Sequence, residues 1–451
     1  MARELIISIS GMRGIIGENL TPDLAAAYGA AFGTFLKSTG KSGSVVLGRD
    51  SRPSGPMLAA AISAGVTAVG LGVVDLGIVT TPTVGILVRH LGAAGGIVIT
   101  ASHNPIEYNG IKLLLDNGIA PPAPLAEQIR SIYFARSIQY VDSVRCGRTS
   151  VYDQPDQVHI DKVVSIVEPD RIASRRRKVV LDSVNGAGGR PGRSLLERLG
   201  CEVIPMNLEP TGLFVHTPEP IAENLQGLCG TVRQSGADLG FAQDPDADRL
   251  AIVDEQGRYI GEEYTLALCA QWVFGHKKGS AATNLSTSRM IDDIASAAGC
   301  SVLRTPVGEA HVAQAMIANH CVIGGEGNGG VIDLRIGPVR DSLVSMAIVL
   351  QLMAETNLSL SELVARIPRY TMLKTKFSAD QQLARTVLEK ARTFFSSARI
   401  DSRDGLRFDL PDGWIHLRTS NTEPVMRAIV EASSPESAQK YLDQVMKFCG
   451  R

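Results

Sequence analysis

The chain has 451 residues, with 45 basic and 46 acidic side chains and a formal net charge of −1. One hydrophobic core seldom extends beyond about 250 to 300 residues, so the length predicts three or four domains with clefts between them. The balanced charge gives no field that would attract nucleic acid or an anionic membrane surface, and neither is expected as a partner.

The first predicted domain covers residues 1–153 and alternates short apolar strands with longer helices. A strand over residues 45–48 and an alanine-rich helix over 57–71 are typical of an α/β unit. A further strand, 96–99, leads into Thr-Ala-Ser-His-Asn-Pro. The Asn-Pro pair ends this strand in a turn, so Ser102 is expected on an exposed loop beside His103. The pattern suits a nucleophilic serine, although a loop serine with purely local hydrogen bonds would give the same sequence.

The second predicted domain, 154–256, continues the alternation and ends in a cluster of carboxylates. Its strands are predicted over residues 178–181, 201–204 and 237–242, with a helix over 194–199. The last strand runs into Asp-Pro-Asp-Ala-Asp-Arg. Asp244, Asp246 and Asp248 alternate on a turn and can converge on one hard divalent cation such as Mg²⁺, which prefers oxygen ligands.

Two other functions use closely spaced aspartates. A calcium-binding EF-hand needs glycine where this chain has Arg249, and an exiting helix where residues 250–253 predict a strand. Calcium sensing is therefore discounted. An aspartyl-nucleophile phosphatase would use Asp244 or Asp246 as the phosphorylated group, and this alternative stays open.

The third predicted domain, 257–368, carries a run rich in glycine. A strand beginning at residue 281 and a helix over 291–298 precede Gly-Gly-Glu-Gly-Asn-Gly-Gly at 324–330. Glycine lets a backbone approach a ligand closely, while Glu326 and Asn328 suit the vicinal hydroxyls of a sugar. The run lacks the Lys-Ser/Thr ending of a P-loop. An apolar helix predicted over 343–353 is too short to span a membrane, which needs about 18 residues.

The fourth predicted domain, 369–451, is smaller. Antiparallel strands are predicted over residues 405–409 and 414–417, with a closing helix over 435–448. The loop after the second strand holds Arg418, Ser420, Asn421 and Thr422, and Arg427 follows it. Hydroxyls, an amide and guanidinium groups on one loop form a site for a phosphate dianion.

The seven cysteines are scattered along the chain without a Cys-x-x-Cys pair. This spacing disfavours a zinc ribbon and a disulfide framework, and it indicates free thiols in a reducing compartment. The first residues lack the apolar core of a signal peptide. A soluble cytoplasmic protein is expected.

In their order and wording, the four motifs resemble those of the α-D-phosphohexomutase family over essentially the whole chain. Shorter stretches agree: Ser-Gly-Met-Arg-Gly at 10–14, Gly-Arg-Asp-Ser-Arg at 48–52, Asn-Gly-Ile-Lys at 109–112 and Thr-Pro-Val-Gly at 305–308. The resemblance implies an α/β fold of four domains around a central cleft. Three would be similar α/β domains with mixed sheets, and the C-terminal one a smaller α+β domain.

The resemblance also implies an activity, in which phosphate moves between O6 and O1 of a hexose through a phosphoserine at Ser102. The intermediate would be a hexose 1,6-bisphosphate, which also serves as activator. One Mg²⁺ per subunit would be bound by Ser102, Asp244, Asp246 and Asp248. Arg13, His103 and Lys112 are expected around the transferring phosphate. Lys112, with its pKa lowered by burial beside other cations, is the expected general acid/base. The residues expected to bind substrate are Arg249, Glu326, Asn328, Arg418, Ser420, Asn421, Thr422 and Arg427.

Two positions depart from the family's pattern. Many relatives have histidine where this chain has Gly330, and histidine or aspartate where it has Glu309. His311 is nearby in the sequence and is a candidate to compensate.

The motifs favour phosphoglucosamine mutase or phosphomannomutase/phosphoglucomutase activity on a small hexose phosphate, by a monomer or a homodimer. The Mg²⁺-dependent aspartyl phosphatase and a sugar-phosphate-binding protein without turnover are the two remaining hypotheses.

Overall fold

The computed structural model of the chain describes residues 5–8, 11–419 and 425–448, and these residues form four β-sheets in succession. Three sheets mix parallel and antiparallel strands and are flanked by helices, while the fourth is antiparallel throughout. The predicted fold class is therefore confirmed. Within the described ranges, no helix combines the length and the apolar character needed to cross a bilayer.

The first domain is built on a seven-stranded sheet. Its strands are β1 (Ile6–Ser8), β2 (Gly11–Ile15), β3 (Ser44–Arg49), β4 (Gly72–Ile78), β5 (Gly95–Ile99), β6 (Tyr108–Leu115) and β7 (Thr149–Val151). Its helices are α1 (Pro22–Ser38), α2 (Gly55–Ala68), α3 (Thr81–His90) and α4 (Ala123–Phe134). The strand order is β1-β2-β6-β5-β3-β4-β7. β5 is buried along its whole length, which fits a central strand covered by helices on both faces.

The second domain has a four-stranded sheet in the order β11-β10-β8-β9, in which only β11 is antiparallel to its neighbour. The strands are β8 (Lys178–Asp182), β9 (Glu202–Met206), β10 (Leu239–Gln243) and β11 (Leu250–Asp254). The helices are α5 (Pro155–Val164), α6 (Pro169–Ala173), α7 (Gly189–Arg198) and α8 (Gln226–Ser235), with a short 3₁₀ helix at Ala222–Asn224.

The third domain repeats this plan with a sheet in the order β13-β12-β14-β15, whose last strand is antiparallel. Its strands are β12 (Ser280–Asn284), β13 (Ser301–Thr305), β14 (Ile323–Glu326) and β15 (Gly330–Ile332). Its helices are α9 (Glu263–His276), α10 (Met290–Ala297), α11 (Glu309–Ala318), α12 (Ser342–Thr356) and α13 (Leu360–Ala365).

The fourth domain has a five-stranded sheet in the order β16-β20-β19-β18-β17. Its strands are β16 (Thr371–Ser378), β17 (Arg399–Asp401), β18 (Leu406–Leu410), β19 (Gly413–Thr419) and β20 (Val425–Ala432). Its helices are α14 (Gln381–Phe394) and α15 (Pro435–Phe448). β18 and β19 form an antiparallel hairpin that turns at Pro411 and Asp412, between the two predicted strands.

Helix α12 joins the second and third domains. It is buried from Ser342 to Ala354 on every face and packs against α9 on one side and α5, α6 and α7 on the other. A helix that is apolar all round belongs inside a protein, which explains the long apolar run. The Asp341 side chain caps its start by accepting hydrogen bonds from the backbone of Leu343 and Val344. The shared helix keeps the carboxylate loop and the glycine-rich loop in a fixed relation.

Candidate active site

Ser102 lies in the loop that follows β5, as predicted, but it is buried rather than exposed. Its side chain donates a hydrogen bond to Oδ2 of Asp244 at 2.9 Å, and only 3% of the residue is accessible. The expectation of an exposed loop is wrong because the second domain covers this face of the first. The backbone at Ser102 is left-handed, with φ of 50°, and its N–H donates to Oγ1 of Thr100. A strained backbone at such a position is typical of a functional loop.

Arg52 holds this loop in place, a role that no pattern in the sequence predicted. Its guanidinium is fully buried and pairs with Asp50. The remaining N–H groups donate to four backbone carbonyls of the loop, those of Ser102, Asn104, Pro105 and Tyr108. The five donors of one planar group thus fix the path of the chain around Ser102. The Arg-Asp-Ser-Arg sequence is part of the resemblance to the family, but only the fold shows which carbonyls Arg52 contacts.

The three predicted carboxylates converge. Asp244, Asp246 and Asp248 follow β10, are buried, and each offers an oxygen within 4.8 Å of the others. The loop can turn this tightly because Ala247 adopts a left-handed φ of 54°. Buried carboxylates at such spacing repel each other unless a positive charge lies among them.

Some oxygens of the cluster accept hydrogen bonds from the protein, and others have no donor. Oδ2 of Asp246 accepts from Thr81 and Lys112, and Oδ2 of Asp248 accepts from Arg340. Among the described residues, Oδ1 of Asp246 and Oδ1 of Asp248 are buried without any hydrogen-bond partner. Two orphaned carboxylate oxygens and a third carboxylate nearby fit a hard divalent cation.

The pKa values of Asp244 and Asp246 are shifted in opposite directions by their surroundings. Burial, together with the neighbouring Asp248 and Asp246, raises the pKa of Asp244 well above its usual range. Burial acts in the same direction on Asp246, but Lys112 and Thr81 outweigh it and hold the pKa of that carboxyl below its usual range. Asp246 therefore stays ionised more readily than Asp244.

Lys112, on β6, reaches the cluster, but its environment differs from the prediction. Nζ lies 2.8 Å from Oδ2 of Asp246 and 3.6 Å from Oδ2 of Asp248. Burial lowers the pKa of Lys112, but Asp246, Asp248 and Glu309 outweigh burial, so the pKa is raised. The expected lowering is wrong because the nearest charges are carboxylates from other domains.

Arg13, His103 and Arg249 complete the surroundings of Ser102. Nδ1 of His103 lies 3.4 Å from Oγ of Ser102. Burial, with Arg249 and Arg13 nearby, lowers the pKa of His103 to about 3, so its ring is neutral. Burial also lowers the pKa of Arg13, whose nearest charges include Asp246 and Arg249. These predicted residues come together from both sides of the interface between the first and second domains.

The glycine-rich loop connects β14 to β15, and its polar groups already have partners. Oε1 of Glu326 accepts from Nδ2 of Asn284 at 2.8 Å, and Oε2 accepts from Arg340 at 2.6 Å. Oδ1 of Asn328 accepts from the backbone of Gly330. The Glu326 carboxylate is thereby fixed in direction, which preorganises it for a ligand.

Arg340 is a second residue of the site that no pattern in the sequence predicted. It lies between β15 and α12, is 7% exposed, and contacts carboxylates of two domains, Asp248 and Glu326. Burial alone would lower the pKa of Arg340, but the surrounding carboxylates raise it well above its usual value. A lone arginine before a helix gives no sequence signal of this kind.

The predicted phosphate loop of the fourth domain is described only at its flanks. Arg418 on β19 and Arg427 on β20 are directly opposite each other in the sheet. Arg418 lies 3.4 Å from Oδ1 of Asp404. Ser420, Asn421 and Thr422 lie outside the described residues.

The fourth domain is attached to the third by polar contacts. The His416 ring bonds to the hydroxyl of Ser286 at 2.8 Å, and the backbone of Val307 donates to Asp404 at 2.9 Å. The backbone of Arg289 donates to Glu431. These contacts place the Arg418 strand beside the loops that follow β12 and β13.

Comparison with known proteins gives four consecutive family matches. Domains I, II and III of the alpha/beta/alpha type and the C-terminal domain of phosphoglucomutase/phosphomannomutase match residues 5–139, 157–257, 262–370 and 369–448. The phosphoglucomutase/phosphomannomutase of Thermococcus kodakarensis is 40% identical over 97% of both chains. A protein named "Probable phosphoglucosamine mutase" from Methanopyrus kandleri is 38% identical over 98% of this chain and 97% of its own.

Solved structures share the fold. A phosphoglucomutase/phosphomannomutase family protein from Burkholderia thailandensis has a TM-score of 0.88 and 28% identity, with coverage of 99% of this chain and 98% of its own. The N-acetylphosphoglucosamine mutase of Aspergillus fumigatus has a TM-score of 0.65 and 14% identity, covering 98% and 95%. At that identity the likeness concerns the fold alone.

Proposed function

The chain belongs to the phosphoglucomutase/phosphomannomutase family and is a phosphohexomutase, and from this premise we propose that Ser102 is its phosphate carrier. The single observation that carries the proposal is the hydrogen bond from Ser102 to Asp244, which sets a buried hydroxyl against a cluster of three carboxylates. Phosphorylated Ser102 would give its phosphoryl group to a hexose phosphate. The resulting hexose 1,6-bisphosphate would return its other phosphate to Ser102, and it also serves as activator.

The carboxylates have the chemistry of a magnesium site, and we assign one Mg²⁺ per subunit to Asp244, Asp246 and Asp248 with an oxygen on Ser102. The orphaned oxygens of Asp246 and Asp248 support this assignment. So does the A. fumigatus enzyme, which was solved with GlcNAc-6P and magnesium. When bound, such a cation offsets the negative charge that builds up during phosphoryl transfer.

The basic residues around Ser102 have separate tasks in this proposal. The guanidinium groups of Arg13 and Arg249 bind the phosphate that is being transferred, because a planar fork matches its oxygens. The neutral ring of His103 donates or accepts one hydrogen bond beside Ser102. Lys112 exchanges a proton with the sugar hydroxyl that attacks or leaves. Its position beside Asp246 keeps the ammonium oriented toward the cluster.

Sugar and distal phosphate are assigned to the third and fourth domains. Glu326 and Asn328 bind the ring hydroxyls from the glycine-rich loop. The phosphate that is not reacting is bound by Arg418, Ser420, Asn421, Thr422 and Arg427. This division suits a substrate that binds in two orientations, since either phosphate can occupy the distal site. A movement of the fourth domain over the cleft would exclude water, which otherwise hydrolyses the phosphoserine.

The substrate is a hexose phosphate, and the relatives favour glucosamine, glucose or mannose as its sugar. The fungal enzyme, also solved with glucose 1,6-bisphosphate, supports a bisphosphate activator. Described cysteines of this chain are free thiols, which suits a reducing compartment such as the cytoplasm. We propose a monomer or homodimer there.

A phosphatase that uses Asp244 or Asp246 as nucleophile is not favoured, because the relatives and solved structures are mutases. The contacts of Asp246 also oppose it. Its Oδ2 already accepts from Thr81 and Lys112, which withdraws charge from the carboxylate.

The test combines a phosphopeptide map with a coupled assay. We expect phosphate on Ser102 in the purified protein, and conversion of glucose, mannose, glucosamine or N-acetylglucosamine 1-phosphate with Mg²⁺ and a trace of bisphosphate. Ser102→Ala should abolish conversion. Ser150→Ala, on the exposed strand β7, is the matched control and should convert normally. Full activity in Ser102→Ala would overturn the proposal.

A further inference from the structure

A side chain at position 330 would overlap with the side chain of Arg340. A Cβ atom on Gly330 would lie 2.2 Å from Cδ of Arg340 and 2.9 Å from its Cγ. Carbon atoms that are not bonded to each other do not approach so closely in a packed interior. Position 330 therefore cannot carry a side chain while Arg340 keeps this conformation. A glycine at position 330 thus leaves the space that the Arg340 side chain fills.

Glu309, the second departure, contacts the same arginine. Its Oε1 accepts from the backbone N–H of Arg340 at 2.9 Å, and its Oε2 lies 3.4 Å from Nε. A neutral histidine has one acceptor nitrogen and cannot make both contacts, and a charged one would repel the guanidinium. Glu309 and Gly330 thus belong to one arrangement, in which the first holds Arg340 and the second makes room for it.

The guanidinium joins two loops with different tasks. One terminal nitrogen donates to Glu326 in the glycine-rich loop, and the other donates to Asp248 in the carboxylate cluster. Because the fork is planar and rigid, it fixes the distance and the relative direction of the two carboxylates. Oδ1 of Asp248 accepts no hydrogen bond from the described residues and lies 3.8 Å from Nε of Arg249.

We propose that Arg340 is the positioning residue of this site, which aims Glu326 at the sugar hydroxyls and keeps one oxygen of Asp248 bound to the protein rather than to the cation, with Glu309 and Gly330 as its support. The assignment rests on the proposed function, because it takes residues 324–330 as the sugar loop. Arg340 places a permanent positive charge between the two carboxylates.

The first test separates sugar binding from metal binding in Arg340→Lys and Arg340→Ala. Calorimetry would measure glucose 1-phosphate and glucosamine 1-phosphate with EDTA present, and Mg²⁺ alone with the protein free of sugar. A lysine keeps the positive charge but lacks the rigid planar fork that holds Glu326 and Asp248 in fixed directions, so Arg340→Lys should weaken binding of the preferred sugar phosphate about tenfold and leave the Mg²⁺ affinity within about threefold. Arg340→Ala should weaken sugar binding likewise but tighten Mg²⁺ binding by about threefold or more, because a cation beside Asp248 is gone.

The second test displaces Arg340 without removing it. Gly330→Ala should weaken sugar phosphate binding as much as Arg340→Lys does. Gly230→Ala, in α8 with open space around the glycine, should leave it unchanged. Arg335→Ala, which removes an arginine paired with Asp333 in the same domain, should also leave it unchanged.

Unchanged sugar phosphate affinity in Arg340→Lys and Gly330→Ala would overturn the proposal. So would a parallel loss of sugar and Mg²⁺ affinity in Arg340→Ala, because a residue that merely supports the fold would affect both in the same direction. None of these binding measurements requires turnover. An active Ser102→Ala variant would therefore refute the proposed function, while the binding results for the Arg340 variants would still decide the role of Arg340.

Discussion

Ser102 and Asp244 are joined by a hydrogen bond of 2.9 Å although they are 142 positions apart and belong to different domains. Further contacts close the same interface. The backbone and hydroxyl of Thr81 both donate to Asp246, and the hydroxyl of Ser51 donates to the carbonyl of Asn185. The site is thus assembled by the docking of two domains, so changes at the interface act on chemistry and on stability together.

Asp244→Asn should stabilise the metal-free protein and weaken its binding of Mg²⁺. Without metal, the wild type holds three buried carboxylates together, and the substitution removes one charge while an amide oxygen still accepts from Ser102. We expect a higher Tm than the wild type in EDTA. In Mg²⁺ at a hundred times its Kd, the wild type should gain about 2.7 kcal/mol and the variant much less.

The measurement is thermal unfolding in EDTA and across a Mg²⁺ titration. Asp142→Asn, which removes an exposed carboxylate paired with Arg145, is the control and should respond to Mg²⁺ as the wild type does. An equal rise of Tm with Mg²⁺ in wild type and Asp244→Asn would contradict the assignment.

Arg52→Lys should impair both folding and turnover. A lysine cannot serve Asp50 and four carbonyls at once, and buried acceptors without donors are costly. Each buried carbonyl left without a donor should lower the free energy of unfolding by about 1 to 3 kcal/mol. Urea denaturation measures the loss of stability. In the coupled assay kcat should fall by a larger factor than KM changes, because the Ser102 loop is no longer held in place. Arg145→Lys, at an exposed pair, should change neither; a stable, fully active Arg52→Lys protein would refute the role.

The sequence predicted the positions of two site loops well, because each follows a recognisable strand pattern. Ser102 comes after β5 and Asp244 directly after β10, whereas Glu326 ends β14, a strand that the sequence did not predict. Apolar strand patterns and the turn residues behind them are local features, so they can be recognised without the fold.

The predictions that were wrong concerned residues whose surroundings come from other domains. Ser102 is buried by the second domain, and the pKa of Lys112 is raised by carboxylates from other domains. Arg52 and Arg340 contact residues far away in the chain, and no spacing or periodicity announces such partners. The meaning of Gly330 likewise emerges only when the side chain that fills its place is known.

Lys112→Ala should lower kcat by about 10²- to 10⁴-fold if the lysine transfers the proton. Binding of the distal phosphate should change little, because the fourth domain supplies its groups. The coupled assay gives kcat, and calorimetry with a hexose phosphate gives the affinity. Lys41→Ala, at an exposed pair with Asp116, is the matched control. Unchanged turnover in Lys112→Ala would remove the residue from the mechanism.

Glu263 should make the stability of the protein depend on pH. It begins α9, and a side chain on Gly327 would collide with its carboxylate, so it lies directly against the sugar loop. Oε2 accepts from the backbone of Ser288, whereas Oε1 is buried with no hydrogen-bond partner among the described residues, and Lys374 is 3.9 Å away. Burial raises the pKa of Glu263 from 4.5 to about 8, against the opposing charge of Lys374.

Because the folded state binds this proton more tightly than the unfolded state, the stabilising contribution is complete below pH 4.5 and is lost as the pH rises toward about 8. Glu263→Gln still accepts from Ser288 but carries no charge at any pH. Its Tm should therefore fall less than that of the wild type between about pH 5 and pH 8.5, and its advantage should grow across this range. Glu202→Gln, at an exposed position on β9, controls for the removal of one negative charge. Parallel curves of Tm against pH for Glu263→Gln and the wild type would show that the Glu263 proton is not linked to folding.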